Sequence, residues 1–173
     1  MKKFISLLII AIIALTSSIN ANAWTDRNTF GLKGPVKAVY GPGEYESRSF
    51  DEDGSYSFDV EDLYIHRDNS GKLAALEIGA MAGEYYRYNT KGQVCEYKCV
   101  EETVTVETTT YTYNAKGHII KSISKISPIY GKKSTSITTY TYQKFDKYGN
   151  WIKRTAKTGK KRTVETRTIT YYE

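Results

Sequence analysis

Apolar and polar residues alternate along most of this chain, which is the pattern of a β-strand with one buried face. The stretch TVTVETTTYTY places Val106 on one face of such a strand and Tyr111 and Tyr113 on the other. The stretch TSITTYTYQKF divides in the same way and puts Tyr140 and Tyr142 on a shared face. The 16 tyrosines and the abundant threonines also suit a pleated, half-buried surface. The pattern predicts an all-β protein with almost no helix.

A short motif interrupts this alternation five times. In each copy an Asp or Asn precedes a Gly by three residues. The pairs are Asp51 and Gly54, Asp68 and Gly71, Asn89 and Gly92, Asn114 and Gly117, and Asp146 and Gly149. This spacing is typical of a three-residue hairpin loop, in which the Asp or Asn side chain opens a type I turn and the Gly closes it in the left-handed conformation.

The motif also predicts the register of each hairpin, because its first and fifth residues become partners. The next pair outward then joins an aromatic residue to an aromatic or aliphatic one in four of the five hairpins. The predicted pairs are Phe50 with Tyr56, Arg67 with Leu73, Tyr88 with Val94, Tyr113 with Ile119, and Phe145 with Trp151.

Weaker reversals between the motifs complete an antiparallel meander of about eleven strands. Both faces of the long strands are only half apolar, whereas a tight core between two sheets would need a more apolar inner face. We therefore expect a single, strongly twisted sheet or a half-barrel, with a closed barrel as the less favoured alternative. Residues 24–34 should form a loop or cap.

The first 23 residues have the features of a secretory signal peptide. Lys2 and Lys3 precede an apolar run over residues 4–15, and Ala21-Asn22-Ala23 matches a cleavage site. We expect a mature chain of residues 24–173 that forms a single β-meander repeat domain, is exported to the periplasm or secreted, and has no transmembrane span. A retained N-terminal anchor is the alternative.

Charge is distributed unevenly along the expected mature chain. Residues 24–102 carry 9 basic and 15 acidic side chains, and residues 103–173 carry 14 basic and 4 acidic ones. Such asymmetry bears on partners and on self-association. Export makes nucleic acid an improbable partner.

Two sets of residues are candidates for ligand binding. The first is the tyrosine pairs, which would bind sugar rings or a partner if their face is open, and which otherwise form the core: Tyr111, Tyr113, Tyr140 and Tyr142. The second is a basic region that would hold an anionic glycan, a lipid head group or an acidic partner, or that would merely protect a sheet edge: Lys153, Arg154, Lys157, Lys160, Lys161 and Arg162.

Catalytic and metal-binding patterns are weak. His66 and His118 are the only histidines and have no clustered ligands around them, so we expect no metal site and no cofactor. Cys95 and Cys99 would lie ~13 Å apart on one strand, which favours free thiols over a disulfide unless a bulge or turn intervenes. Asp59, Glu61 and Asp62 are the acids that a hydrolase could use.

The strings YTYNAKGHI, YRYNTKGQV and FDKYGNWI resemble the YD repeats of bacterial Rhs-type surface and toxin-shell proteins, and FDEDGSY and RDNSGKL match in part. With its GLKGPVKAV opening, the chain is also similar to small exported Bacteroidetes proteins that carry such repeats. The resemblance implies an extended β-sheet that binds a sugar or a protein. The repeats are too few and too irregular to imply a closed shell.

These observations favour an exported, non-catalytic protein that binds a polysaccharide or another protein at the cell envelope. A structural protein that assembles with itself is the alternative, and a hydrolase with a carboxylate pair is less favoured.

Overall fold

The structure is a computed structural model that describes residues 24–42, 47–57, 62–79, 82–101 and 105–173. The predicted signal peptide lies outside these residues. The fold is all-β, as predicted, with one four-residue helix, α1 (Asp26–Thr29), in the segment that was expected to be a loop or cap. Among the described residues, no helix is long and apolar enough to cross a membrane.

Thirteen strands form two antiparallel sheets rather than the expected single sheet of about eleven. The small sheet has the order β13-β1-β2-β3 and contains β1 (Val36–Tyr40), β2 (Arg48–Phe50), β3 (Tyr56–Ser57) and β13 (Thr168–Tyr171). The large sheet is a meander of nine strands: β4 (Leu63–Arg67), β5 (Leu73–Ile78), β6 (Ala82–Tyr88), β7 (Val94–Glu101), β8 (Thr105–Tyr113), β9 (Ile119–Pro128), β10 (Ser134–Phe145), β11 (Trp151–Thr158) and β12 (Lys161–Thr166).

All five predicted turns are present. Each Gly has a positive φ of 77–90°, and its N–H donates to the carbonyl of the Asp or Asn three residues earlier. The five predicted cross-strand pairs, from Phe50 with Tyr56 to Phe145 with Trp151, are all observed. Local turn chemistry therefore sets the register of these hairpins.

The single-sheet prediction was wrong because the two ends of the chain meet. The pairs Val36–Tyr171 and Tyr40–Thr168 join β1 to β13, and no pattern within either segment reveals this partner. The small sheet and the segment before it cover one face of the large sheet, which we call the inner face. The described strands β4 and β12 end the large sheet without pairing with each other, so this sheet does not close.

The core lies between the small sheet and the first half of the large one. Its buried apolar residues come from both sheets and from the loop after α1: Leu32, Val36, Val39, Phe50, Tyr56, Leu73, Leu76, Tyr86 and Val94. The strands that follow β7 contribute few residues to this cluster. The second half of the inner face is thus not filled by this core.

Candidate functional site

A cleft of about 400 Å³ lies over the second half of the inner face, between the large sheet and residues 29–32. Its lining contains many aromatic rings, three arginines and several small hydroxyl side chains. The lining residues used below are Arg48, Tyr86, Tyr97, Glu107, Thr109, Tyr111, Tyr113, His118, Ser122, Ser124, Tyr140, Tyr142, Trp151, Arg154 and Arg167.

A recurring β-bulge decides which side chains enter the cleft. In four of the five hairpins the register shifts around the third residue after the turn glycine, at Ala74, Cys95, Ile120 and Ile152. A bulge inserts one extra residue and breaks the two-residue alternation of the strand. Residues three apart consequently share the inner face, as Trp151 and Arg154 do.

The tyrosines of β8 and β10 form the aromatic wall of the cleft, and hydrogen bonds hold their rings in place. The Tyr113 hydroxyl donates to the Val94 carbonyl at 2.6 Å, and the Tyr142 hydroxyl donates to the Ile119 carbonyl at 2.7 Å. Tyr140 and Ser122 share a hydrogen bond of 3.1 Å between their hydroxyls. Burial raises the pKa of Tyr113 and of Tyr142, so both remain neutral donors at physiological pH.

A stack of rings and guanidinium groups stands beside this wall. The Arg154 guanidinium carbon lies 4.3 Å from the centroid of the Tyr140 ring and 4.0 Å from that of Trp151. Arg154 Nε donates to Glu165 Oε2 at 2.5 Å. Arg167 also lies over the Trp151 ring, at 4.2 Å, and its Nε donates to the Trp151 carbonyl. Charged hydrogen bonds and cation–π contacts thus fix the Trp151 ring at the cleft.

The opposite wall is built around a second ion pair. Arg48 Nη2 donates to both carboxylate oxygens of Glu84, at 2.7 and 2.9 Å, and Tyr86 donates to the same carboxylate. Burial alone would lower the pKa of Arg48, but Glu84 and neighbouring tyrosines outweigh it and the pKa is raised. Arg48 Nε is buried and has no hydrogen-bond partner among the described residues.

The floor of the cleft is polar and small. Thr109 and Ser124 share a hydrogen bond of 2.7 Å across β8 and β9, and Thr109 also donates to Glu107 at 3.1 Å. Glu107 is the single carboxylate among the lining residues that the structure describes. Because Arg48 and Arg154 are each paired with a glutamate, the lining carries little net charge.

His118 directly follows the turn glycine Gly117 and lines the cleft. It is half-buried and stacks on Phe145 with a centroid distance of 4.7 Å. Burial, Lys33 and Lys116 lower its pKa, so the ring is neutral at pH 7. His66 pairs instead with Glu77 at the surface, 2.8 Å away.

The cleft brings together five of the ten predicted ligand-binding residues, namely Tyr111, Tyr113, Tyr140, Tyr142 and Arg154. The other five are exposed and do not line it: Lys153, Lys157, Lys160, Lys161 and Arg162. The predicted basic region is thus divided between two surfaces. Successive residues of a strand face opposite sides of the sheet, and the bulge after Gly149 decides that Arg154 is the one turned inward and Lys153 the one facing solvent.

Sequence analysis missed Trp151, Tyr97 and Arg48 as lining residues. The positions two and five residues after a turn glycine carried the relevant signal, since they hold Leu73 and Leu76 in one repeat and Trp151 and Arg154 in another. That three-residue spacing is the mark of the bulge. No comparable signal pointed to Arg48, which the small sheet supplies.

The remaining candidates that the structure describes are not assembled into a site. Cys95 and Cys99 are separate free thiols. Asp62 is exposed and does not line the cleft, and Asp59 and Glu61 lie outside the described residues. Within the described parts of the chain, no group of three or more His, Cys, Asp or Glu side chains is arranged to hold a metal ion.

Comparison with known protein families finds no family model that matches this chain, and no curated protein matches it.

Proposed function

We propose that this protein is exported and binds a glycan at the cell envelope without transforming it, with the sugar seated in the inner-face cleft. The observation that carries the proposal is the combination of fixed aromatic faces with polar groups in one cleft. Its volume falls within the roughly 300–1,000 Å³ that is usual for small-molecule sites. A mono- or disaccharide, or the end of a longer glycan, fits that description.

The chemistry of the lining favours a neutral, polyhydroxylated ligand. Sugar rings present C–H faces that pack on aromatic rings, and here Tyr140 supplies such a ring. Sugar hydroxyls both donate and accept, which suits Ser122, Ser124 and Thr109 on the floor. The unpartnered Nε of Arg48 is a further donor, and leaving such a donor unsatisfied costs about 1–3 kcal/mol. The balanced charge of the lining argues against selection for a polyanion.

The test is a glycan array on the exported protein, followed by calorimetry with the glycans that bind. Tyr140→Ala should weaken binding by roughly tenfold or more, as expected for an aromatic residue at the centre of a contact. Tyr64→Ala is the matched control, because Tyr64 is exposed on β4, away from the cleft. Circular dichroism should show that both variants retain the parent fold.

A second variant separates the cleft from the external basic region. Lys160→Gln, Lys161→Gln and Arg162→Gln together remove charges that do not line the cleft, and glycan affinity should be unchanged. If this triple variant loses affinity while Tyr140→Ala retains it, the glycan binds the basic surface and the cleft proposal is wrong. Release of shortened glycan by the parent, abolished by Glu107→Gln, would contradict the non-catalytic role.

Self-assembly remains a second candidate because the large sheet has two unpaired edges among the described strands. Tyr64 and Ile65 on β4 and Val164 on β12 expose large apolar side chains there. Lys161 and Arg162 on β12 oppose pairing between like edges. Light scattering that detects salt-sensitive growth with protein concentration would support assembly, and a monomer under all conditions would contradict it.

A further inference from the structure

The turn between β9 and β10 exposes the most apolar surface of any described turn. Tyr130 is 88% exposed and Ile129 is 58% exposed, and Lys132 and Lys133 follow directly. We call residues 129–133 the hairpin tip. The tip lies at the end of the large sheet opposite the four Asp/Asn–Gly turns of that sheet, since strands of a meander reverse at alternate ends.

The hairpin tip also projects beyond β11 on one side, whereas on the other side β8 reaches the base of the tip, where Thr105 pairs with Pro128. Thr138 of β10 pairs with Thr158, the last residue of β11, so residues 134–137 continue past the end of β11. Four strand residues correspond to ~13 Å. Ile129 and Tyr130 therefore lie beyond the β11–β12 turn rather than packed against it.

Basic side chains predominate around the tip. Lys132 and Lys133 lie in it and Lys125 lies on β9, while Glu101 on β7 and Glu107 on β8 are at the same end of the sheet. The β11–β12 turn at the same end adds Lys160, Lys161 and Arg162, which are all exposed. Neither Lys132 nor Lys133 pairs with a carboxylate of the described chain.

An aliphatic and an aromatic residue at a projecting point, followed by lysines, match the chemistry of a membrane surface. Tyr is favoured at the level of the lipid head groups, an aliphatic side chain at the boundary of the acyl chains, and Lys beside anionic head groups. A soluble polyanion would engage the lysines but would gain nothing from Ile129 and Tyr130. We propose that the hairpin tip docks this protein onto membranes that contain anionic lipids.

This inference goes beyond glycan binding and does not depend on it, because residues 129–133 do not line the cleft. The tip would hold the molecule at the membrane end-on, with the cleft on the sheet face still open. Loss of membrane binding and loss of glycan binding can therefore be measured separately in the same variants.

The experiment is co-sedimentation with vesicles of phosphatidylglycerol and phosphatidylethanolamine, compared with vesicles of phosphatidylcholine. The exported protein is used after mass spectrometry has identified its N-terminus, because a retained apolar run at residues 4–15 would bind vesicles by itself. All variants are compared in that same form.

Two double variants test the tip. Ile129→Ser with Tyr130→Ser removes the apolar contact, and Lys132→Gln with Lys133→Gln removes the charges. Each should weaken partitioning onto the anionic vesicles by roughly tenfold or more. Binding of the parent to phosphatidylcholine should be much weaker than to the anionic vesicles.

Two matched controls remove the same chemistry elsewhere. Tyr40→Ser with Val164→Ser deletes two side chains that are 54% and 58% exposed on other strands. Lys91→Gln with Lys116→Gln deletes two exposed charges at the glycine-turn end of the large sheet. Both controls should bind within about twofold of the parent, because long-range charge alone contributes little beyond a Debye length of ~10 Å.

Three outcomes would overturn the proposal. The parent shows no preference for the anionic vesicles, or the Ile129/Tyr130 variant binds as well as the parent, or the Lys91/Lys116 control loses as much affinity as the tip variants. The last two results would reduce the effect to general attraction between a basic protein and an anionic surface.

Discussion

At the scale of single residues, tyrosine hydroxyls link each of the last three repeats to the one before it. Tyr88 donates to the Leu73 carbonyl at 2.6 Å, and Tyr113 and Tyr142 donate to Val94 and Ile119 in the same way. Every acceptor is the second residue after a turn glycine, immediately before a bulge that disrupts the ladder. These tyrosines therefore have a structural role that phenylalanine could not perform, even where their rings also face the cleft.

We expect Tyr113→Phe to lower the free energy of unfolding by about 1 kcal/mol, because the Val94 carbonyl loses its donor while the ring is kept. Urea denaturation followed by circular dichroism measures the change. Tyr130→Phe is the control, since the Tyr130 side chain is almost fully exposed. The stability of this variant should match that of the parent. Equal stability of Tyr113→Phe and parent would show that the hydroxyl contributes nothing.

At the scale of the elements, the five turns share a backbone conformation but differ in their surroundings. Gly54 and Gly71 have φ values of +90° and +81°, which any residue with a Cβ adopts at a cost. A Cβ on Gly71 would meet nothing within 4 Å, whereas a Cβ on Gly54 would lie 2.8 Å from Thr25 Cβ. The segment before β1 packs against the first turn, so that turn is also a contact surface.

The two turns should therefore respond unequally to the same substitution. Gly71→Ala should cost ~1–2 kcal/mol for the left-handed backbone alone. Gly54→Ala should cost roughly 1–3 kcal/mol more, because the packed segment must move. The comparison uses urea denaturation midpoints of variants that unfold with the same m-value as the parent. Equal losses at the two positions would mean that residues 24–34 do not pack on the Gly54 turn in solution.

At the scale of the whole molecule, one cluster joins the segment before β1, the turn at Gly149 and strand β13. Buried Asn150 accepts from the Lys33 amide and donates to the Lys33 carbonyl, both at 2.8 Å, and also donates to the Tyr171 hydroxyl. Tyr171 in turn donates to Asp146, which holds the last glycine turn. This cluster fastens the small sheet to the large one.

Asp146 should make this closure, the attachment of the small sheet to the large one, sensitive to acid. Burial alone would raise its pKa, but hydrogen bonds from Tyr171, Asn150 and Tyr148 outweigh burial and the pKa is lowered. A carboxylate with a lowered folded pKa contributes stability that is complete above its unfolded pKa of about 4 and is lost as pH falls through the folded value.

Denaturation midpoints measured from neutral pH down through the acid range should therefore fall less steeply in Asp146→Asn than in the parent. Tyr171→Phe should also reduce the slope, because it removes one of the bonds that stabilise the charged form. Identical acid profiles for all three proteins would contradict a role for Asp146 in the closure.

The sequence alone determined the strand pattern, the five turns and the register of their hairpins, because each depends on residues fewer than ten positions apart. Asn89 to Gly92, for example, is sufficient to place Tyr88 opposite Val94. The tyrosine pairs were recognised as one face for the same reason, since alternation along a strand is a local property.

Only the tertiary structure decided the second sheet and the cleft. The pairing of Val36 with Tyr171 is a contact between the two ends of the chain, and its free energy comes from burial that neither segment achieves alone. The bulge beside Ile152 sent Arg154 inward and left Lys153 outside, against simple alternation. Arg48 reached the cleft from the small sheet, so the complete lining exists only when both ends of the chain have come together.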